Sequence, residues 1–313
     1  MFLHYKTSLL FAFALSCFPS TAQQTSTLKL FRFGDAGNEK PGVVTTDGTH
    51  FDVSAFGEDY TETFFATHGI ARLEKWFKAN RSKCATVSTK TRIASCIARP
   101  SKIVAIGLNY REHVREGGGT APTEPVIFMK ASTAMTGPND HVIIPRNSAK
   151  LDYEVELAII VGRRASDVSP DSAMHYIAGF TIINDYSERA WQLERPGGQW
   201  DKGKSADTFA PLGPYLVTPA QSGDPNHLSL WLSVNGKKMQ EANTADMIFS
   251  VERLLSEVSK YMTLLPGDVI ATGTPAGVGL GQKPPQYLKP GDVVELGIEN
   301  LGSQKQTLIQ KAP

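Results

Sequence analysis

The run Glu154-Val155-Glu156-Leu157-Ala158-Ile159-Ile160-Val161, stopped by Gly162, is the strongest β signal in the chain. Aliphatic and β-branched side chains suit a pleated surface. A strand repeats every two residues, so Glu154 and Glu156 leave one face and Val155, Leu157 and Ile159 the other. Either the acidic face is solvated, or the two carboxylates share a site. In a shared site they raise one another's pKa unless a cation compensates them. Oxygen donors without sulfur or a histidine set favour Mg2+ or Mn2+ over zinc. Asp185 closes the apolar run Phe180-Thr181-Ile182-Ile183-Asn184 and is the candidate third ligand. Asp152 stands where the strand starts and reads as a surface or turn residue.

Around this strand the text is short apolar runs broken by turns, with 27 Gly and 19 Pro in 313 residues, which argues against a helical bundle. Leu28 and Leu30 alternate, then Phe31 and Phe33 continue in the opposite phase, as in a bulge or a segment apolar on both faces. Val43-Val44 is a second strand, and Thr46-Asp47-Gly48-Thr49 reads as a hairpin turn. One helix is expected from Phe64 to Asn80. Together these make a small α+β N-terminal domain over 23–100. From 101 to 313 the pattern is strand-heavy. Ile103–Ile106, Val126–Met129, Ala178–Asn184 and the alternation Leu228, Leu230, Leu232, Val234 before Asn235-Gly236 all read as strands. Pro266-Gly267-Asp268 and Pro290-Gly291-Asp292 each feed a β-branched strand, and 247–262 has helical spacing. The expected architecture is α+β, a mixed β-roll or barrel-like body. The long polar connections 107–123 and 186–207 suggest lids or binding loops.

The first 22 residues pair a weakly basic start with an apolar run of about ten residues and a small-residue exit, the pattern of a secretory signal peptide. The run is too short to span a bilayer. The expectation is an exported protein, periplasmic or secreted, if that leader is genuine, and a cytoplasmic one otherwise. No stable membrane insertion is expected after its removal. Cys84 and Cys96 would remain, as two ordinary buried thiols. With 32 Lys+Arg against 31 Asp+Glu, the net charge of +1 excludes a basic nucleic-acid-binding protein. At 41% hydrophobic and 20% charged, the chain can bury a sizeable core.

Further candidates flank the acidic pair. His113 and Glu116 share one side of a helical turn, and a carboxylate beside an imidazole orients it for general-base work. The glycines at 117–119 would let that segment move as a lid. Lys204 could steady an enolate oxygen, although Lys202 would serve equally on spacing alone. Arg189 and Gln192 would project together from a helix, either into solvent or toward an anionic substrate. Thr272-Gly273-Thr274-Pro275 leaves a strand into a glycine-rich turn able to cradle a carboxylate. That turn matches no dinucleotide fingerprint, and no G-x-S-x-G elbow occurs.

Several segments in order carry a resemblance: GLNYREH at 107–113, PVIFMK at 125–130, LDYEVELAIIVG at 151–162, INDYSER at 183–189, QWDKGKSADTFAPLGP at 199–214 and MTLLPGDVIATGTPAGVG at 262–279. Over about 101–310 the chain resembles the fumarylacetoacetate hydrolase family, in its bacterial two-domain form. The resemblance implies a mixed β-roll body and Mg2+ (or Mn2+) held by Glu154, Glu156 and Asp185. It implies a lid dyad of His113 and Glu116 that orients or deprotonates water, and Lys204 beside the metal. It sets Arg189 and Gln192 toward the substrate and Thr274 at its carboxylate end. The implied chemistry is hydrolysis of a C–C bond in an acylpyruvate-type 2-oxo acid. The alternatives on the same site are isomerisation of a 2-hydroxyhepta-2,4-diene-1,7-dioate and decarboxylation of oxaloacetate. A small 2-oxo acid or dicarboxylate as substrate, and a homodimer, are implied with it. A non-catalytic binding protein that kept the fold is the competing class.

Overall fold

In the computed structural model, which describes residues 27–311, the strongest strand runs over Val155–Val161 and is buried at all seven positions. A strand covered on both faces has to be apolar throughout, as this one is from Leu157 onward. It pairs antiparallel with Ile177–Asn184 on one side and with Val269–Ala271 on the other. Beyond Val269–Ala271 lie Ile103–Gly107, parallel to it, and then Val126–Lys130. On the opposite side the sheet continues through Ala210–Val217, Lys29–Phe33 and Lys40–Val44 to His50–Asp52. A second sheet orders Lys237–Asn243, Ser229–Val234, Val293–Ile298, Gly302–Gln310 and Val142–Ile144. The α+β class and the mixed sheets are as expected, but the closed roll is not seen. The outer strands His50–Asp52 and Val126–Lys130 do not pair with each other, so the larger sheet stays open.

The phase change near the start of the described chain resolves as a strand apolar on both faces. Leu28 and Leu30 enter the main core, while Phe31 and Phe33 form a second cluster with Val44. The sheet runs on past Pro100, because Leu30 pairs with Leu216. The helix expected from Phe64 to Asn80 is two helices, Glu62–Ala66 and Gly69–Asn80. His68 between them adopts φ 55°, and a Cβ at Gly69 would lie 2.4 Å from both the ring and the carbonyl oxygen of Phe64. That close approach breaks the helix where periodicity alone predicts continuity.

Turn chemistry is more faithful to the text. Asn235 and Gly236 take φ 51° and 78° and close the hairpin that pairs Val234 with Lys237. Val251–Tyr261 is the amphipathic helix within 247–262, capped by the Ser250 side chain, which accepts from Arg253 N. The two long connections are not bare loops. The first carries the helix Arg111–Glu116, and the second carries the strand Ser187–Glu188, a π-helix at Ala190–Glu194 and the helix Asp201–Lys204. Cys84 and Cys96 are free thiols, Cys96 fully buried. Among the described residues no helix is long and apolar enough to cross a membrane. The expected leader at 1–22 lies outside the described residues.

Arg92 clamps Asp140, with Nε donating to Oδ1 at 2.8 Å and Nη2 to Oδ2 at 2.7 Å; the Thr136 hydroxyl and Gly137 N add two more donors. Burial works to raise the Asp140 pKa, but these donors outweigh it and hold the carboxyl below its ordinary 3.8. A depressed carboxyl stabilises the fold above its unfolded pKa and loses that contribution as the pH falls further. Urea unfolding of Asp140→Asn should therefore give a lower midpoint than wild type at pH 6, with the two midpoints converging on acidification below the ordinary value.

Candidate active site

Register brings four chain segments to one end of the larger sheet. Val155 pairs with Asn184, Ala158 with Ala271, and Ala271 with Ala105. The start of Val155–Val161 therefore lies beside the ends of Ile177–Asn184, Val269–Ala271 and Ile103–Gly107. Glu154 immediately precedes its strand and Asp185 immediately follows its own, and Asp185 N donates to Glu154 O at 2.9 Å. One carboxylate oxygen from each of Glu154, Glu156 and Asp185 falls within 4.8 Å of the others, and all three residues are buried. The solvated alternative for the acidic strand face is thereby excluded.

Cations surround this cluster. Lys204 Nζ donates to Glu154 Oε2 at 2.6 Å and to Asp185 Oδ2 at 2.8 Å. Lys202 is exposed and donates to the Pro196 carbonyl, so tertiary structure separates two lysines that spacing could not. Lys130 Nζ donates to Asp185 Oδ1 at 2.6 Å and also bonds the Lys204 carbonyl. Arg189 Nη2 donates to Glu154 Oε1 at 2.7 Å and Nε to Asp152 Oδ2 at 2.9 Å. Its Nη1 donates to Gln192 Oε1 at 2.9 Å. Arg189 and Gln192 do share a side, but the guanidinium is spent on the acidic cluster rather than held out toward the pocket.

Asp152 corrects the sequence reading. It is fully buried in the strand Leu151–Asp152, which pairs with Ser187–Glu188, and it accepts four hydrogen bonds. Residues 152, 154 and 156 share one period-two phase, and that was the available signal. Lys130 was missed as well. It ends an apolar strand and lies fully buried, where an unpaired ammonium would be untenable.

Electrostatics set the two glutamates of the triad apart. Burial raises the Glu154 pKa, yet Lys204 and Arg189 outweigh it and bring the group down to about 2. Glu156 goes the other way, driven well up by burial and by its neighbours Asp185 and Glu154. Gly273 N donates to Glu156 Oε2 at 2.8 Å, and Oε1 accepts no hydrogen bond among the described residues. Burial lowers the Lys130 pKa despite Asp185, whereas Lys204 is raised because Asp185 and Glu154 overcome its burial. Four carboxylates thus face three cations, and one oxygen-only donor set is left under-compensated. Those residues fit a hard divalent cation.

The two residues expected to form a lid dyad are close by. His113 Nδ1 lies 3.2 Å from Glu116 Oε2 on the helix Arg111–Glu116, and both side chains are largely buried. Glu116 Oε1 accepts from Gly277 N at 3.0 Å. His113 is near enough to lower the Glu154 pKa further. Thr274 is also buried here. Its hydroxyl donates to Val155 O at 3.0 Å and accepts from Gln240 Nε2 at 2.8 Å. To donate to a substrate carboxylate it would have to turn away from Val155. Lys204 Nζ also stands 5.1 Å from the Phe128 ring centroid, and Trp200 packs edge-on against that ring.

Breaking the buried lysine pair tests this arrangement. Lys130→Met should destabilise the protein by about 3–5 kcal/mol in urea unfolding, because Asp185 loses a cation it cannot replace with water.

The fumarylacetoacetate (FAA) hydrolase C-terminal family matches residues 102–309 of the chain. A Burkholderia multivorans protein that carries the name "Putative hydrolase" is 48% identical over 280 residues, covering 89% of this chain and 98% of that one. Two solved structures are similar throughout. The 2-hydroxyhepta-2,4-diene-1,7-dioate isomerase of Mycobacterium marinum is 32% identical with a TM-score of 0.70, covering 91% of this chain and 100% of its own. The maleylpyruvate hydrolase of Sphingobium sp. SYK-6, solved with manganese(II) and pyruvate, is 27% identical with a TM-score of 0.75 and the same coverage. Together with the buried carboxylate triad these likenesses support a divalent-metal cofactor and a small 2-oxo acid or dicarboxylate substrate. The chain is an enzyme and belongs to the fumarylacetoacetate hydrolase family.

Proposed function

We propose that this enzyme isomerises a 2-hydroxy-2,4-diene dicarboxylate of the 2-hydroxyhepta-2,4-diene-1,7-dioate type, with Mg2+ (or Mn2+) as its cofactor. The reading is carried by a buried three-carboxylate cluster beside a histidine whose Nδ1 is oriented by Glu116, taken with the likeness to the Mycobacterium marinum isomerase. Glu154, Glu156 and Asp185 would hold the ion, which when bound supplies Lewis-acid polarisation of the substrate's 2-oxygen. The isomerisation takes a proton from the 2-hydroxyl and delivers one to C5, shifting the double bonds. His113 Nε2 is the group we assign to carry it, since Glu116 occupies the Nδ1 side. Lys204 neutralises the negative charge that the substrate develops between those two events. Gln192 and Thr274 are assigned to the substrate's polar ends, and Arg189 to keeping Glu154 ionised from behind.

Hydrolysis of an acylpyruvate is the second reading, favoured by the likeness to maleylpyruvate hydrolase. There the dyad would hold a water for attack on the distal carbonyl, and the other assignments stand. A homodimer belongs to the proposal too, as does export, to be checked by light scattering and by the mature N-terminus.

The deciding assay is a panel of 2-hydroxyhepta-2,4-diene-1,7-dioate, acetylpyruvate, fumarylpyruvate and oxaloacetate, after chelation and with Mg2+ or Mn2+ restored. We expect turnover only with metal, and fastest on the diene. Turnover of fumarylpyruvate alone would transfer the assignment to hydrolysis, and metal-independent turnover would sink both. Glu154→Gln should lose Mn2+ binding and turnover together. His113→Ala should keep Mn2+ binding in calorimetry and lose about 100-fold or more in kcat.

A further inference from the structure

We propose that Asp152 is a positioning residue for the reaction, fixing the glycine turn 277–281 so that the turn holds Glu116, and through it His113, beside the acidic cluster. The proposal rests on the reading above for what the dyad does, though not for the contacts. Asp152 is fully buried. Its Oδ1 accepts from Gly279 N at 2.7 Å and Tyr153 N at 2.9 Å, and its Oδ2 from Leu280 N and Arg189 Nε, both at 2.9 Å. Two of these donors are consecutive amides of the turn. A third is the guanidinium whose far side grips Glu154.

The same turn reaches the lid helix. Gly277 N donates to Glu116 Oε1 at 3.0 Å, and the Tyr153 hydroxyl donates to Gly277 O at 3.1 Å. An unbroken line of polar contacts therefore runs from Glu154 through Arg189, Asp152 and the turn to Glu116 and His113. At its glycines the turn has no room for a side chain. A Cβ at Gly279 would lie 2.7 Å from Asp152 Oδ1, and one at Gly281 would lie 2.1 Å from the Glu116 carboxyl carbon. Glycine lets both carboxylates press against backbone. A buried carboxylate with four donors has one low-energy placement, because any shift leaves donors unmet in a dry site. Asp152 so determines where the Gly277 amide points, and that amide is the only hydrogen-bond donor to Glu116 from outside its own helix among the described residues.

The test compares wild type, Asp152→Asn and Gly281→Ala by steady-state kinetics and amide hydrogen exchange. Asparagine keeps the shape of Asp152 but puts its own NH2 among converging donors. The Gly281→Ala methyl group pushes directly on the carboxyl end of Glu116. In each variant kcat should fall by about tenfold or more with KM within about threefold. Exchange in 111–119 should accelerate by about fivefold or more while 155–161 stays unchanged. The double variant should be no worse than the worse single one, since both act on one path. Equal acceleration in both segments would make Asp152 a purely structural residue, and unchanged exchange in 111–119 or additive kinetic losses would overturn the link. If Asp152→Asn fails to fold, the Gly281→Ala exchange pattern decides. If wild type turns over nothing in the substrate panel, the functional reading falls and the exchange comparison still judges this one.

Discussion

Burying carboxylates in company is the constraint from which the rest follows. Asp152, Glu154, Glu156 and Asp185 sit together away from water, where each isolated charge would cost several kcal/mol. The chain answers with Lys130, Lys204 and Arg189, each of them buried and each bonded to at least one of these acids. The compensation is deliberately unequal. Glu154 touches two cations and is held ionised, while Glu156 touches a backbone amide and is pushed toward its neutral form. A divalent ion would draw Glu156 back to the charged state and tie the three oxygens into one centre.

Sheet topology makes this concentration possible. Strands of both directions end at one edge, so the segments leaving them converge without long loops. Asp185 to Gln192, Thr272 to Gly281 and Asn109 to Glu116 all begin within a few residues of a strand end. Asn109 shows the local cost of such crowding. Its side chain accepts from Phe249 N and donates to the Thr272 carbonyl, joining two of the converging segments. The helix Arg111–Glu116 is tied beside the acids through the Gly277 amide, which donates to Glu116.

Much of this was legible where one local rule acts alone. The 235–236 hairpin, the Pro-Gly-Asp strand entries and the capped helix near 251 follow from backbone preferences of a few residues. The triad was legible because period-two spacing and a carboxylate at a strand end are local facts. Asp152 was misread because its place depends on Ser187–Glu188 pairing with Leu151–Asp152, a contact between distant residues. The helix break at His68 was missed for a similar reason, since it answers to Phe64 packing over Gly69. Arg189 was seen as a cation with a free hand because no local pattern reveals that its three nitrogens are already engaged.

The amino-acid sequence by itself determined which residues could be strands, where the chain turns, and that two glutamates leave one face of a buried ladder. Those properties are set by steric and periodic rules acting over a few residues. Only the tertiary structure decided that Lys204 and not Lys202 meets the acids, that Asp152 and Lys130 belong with them, and that the sheet stays open. Each of these depends on which distant segments share a volume, and desolvation and charge pairing act on that volume rather than on neighbours in the chain.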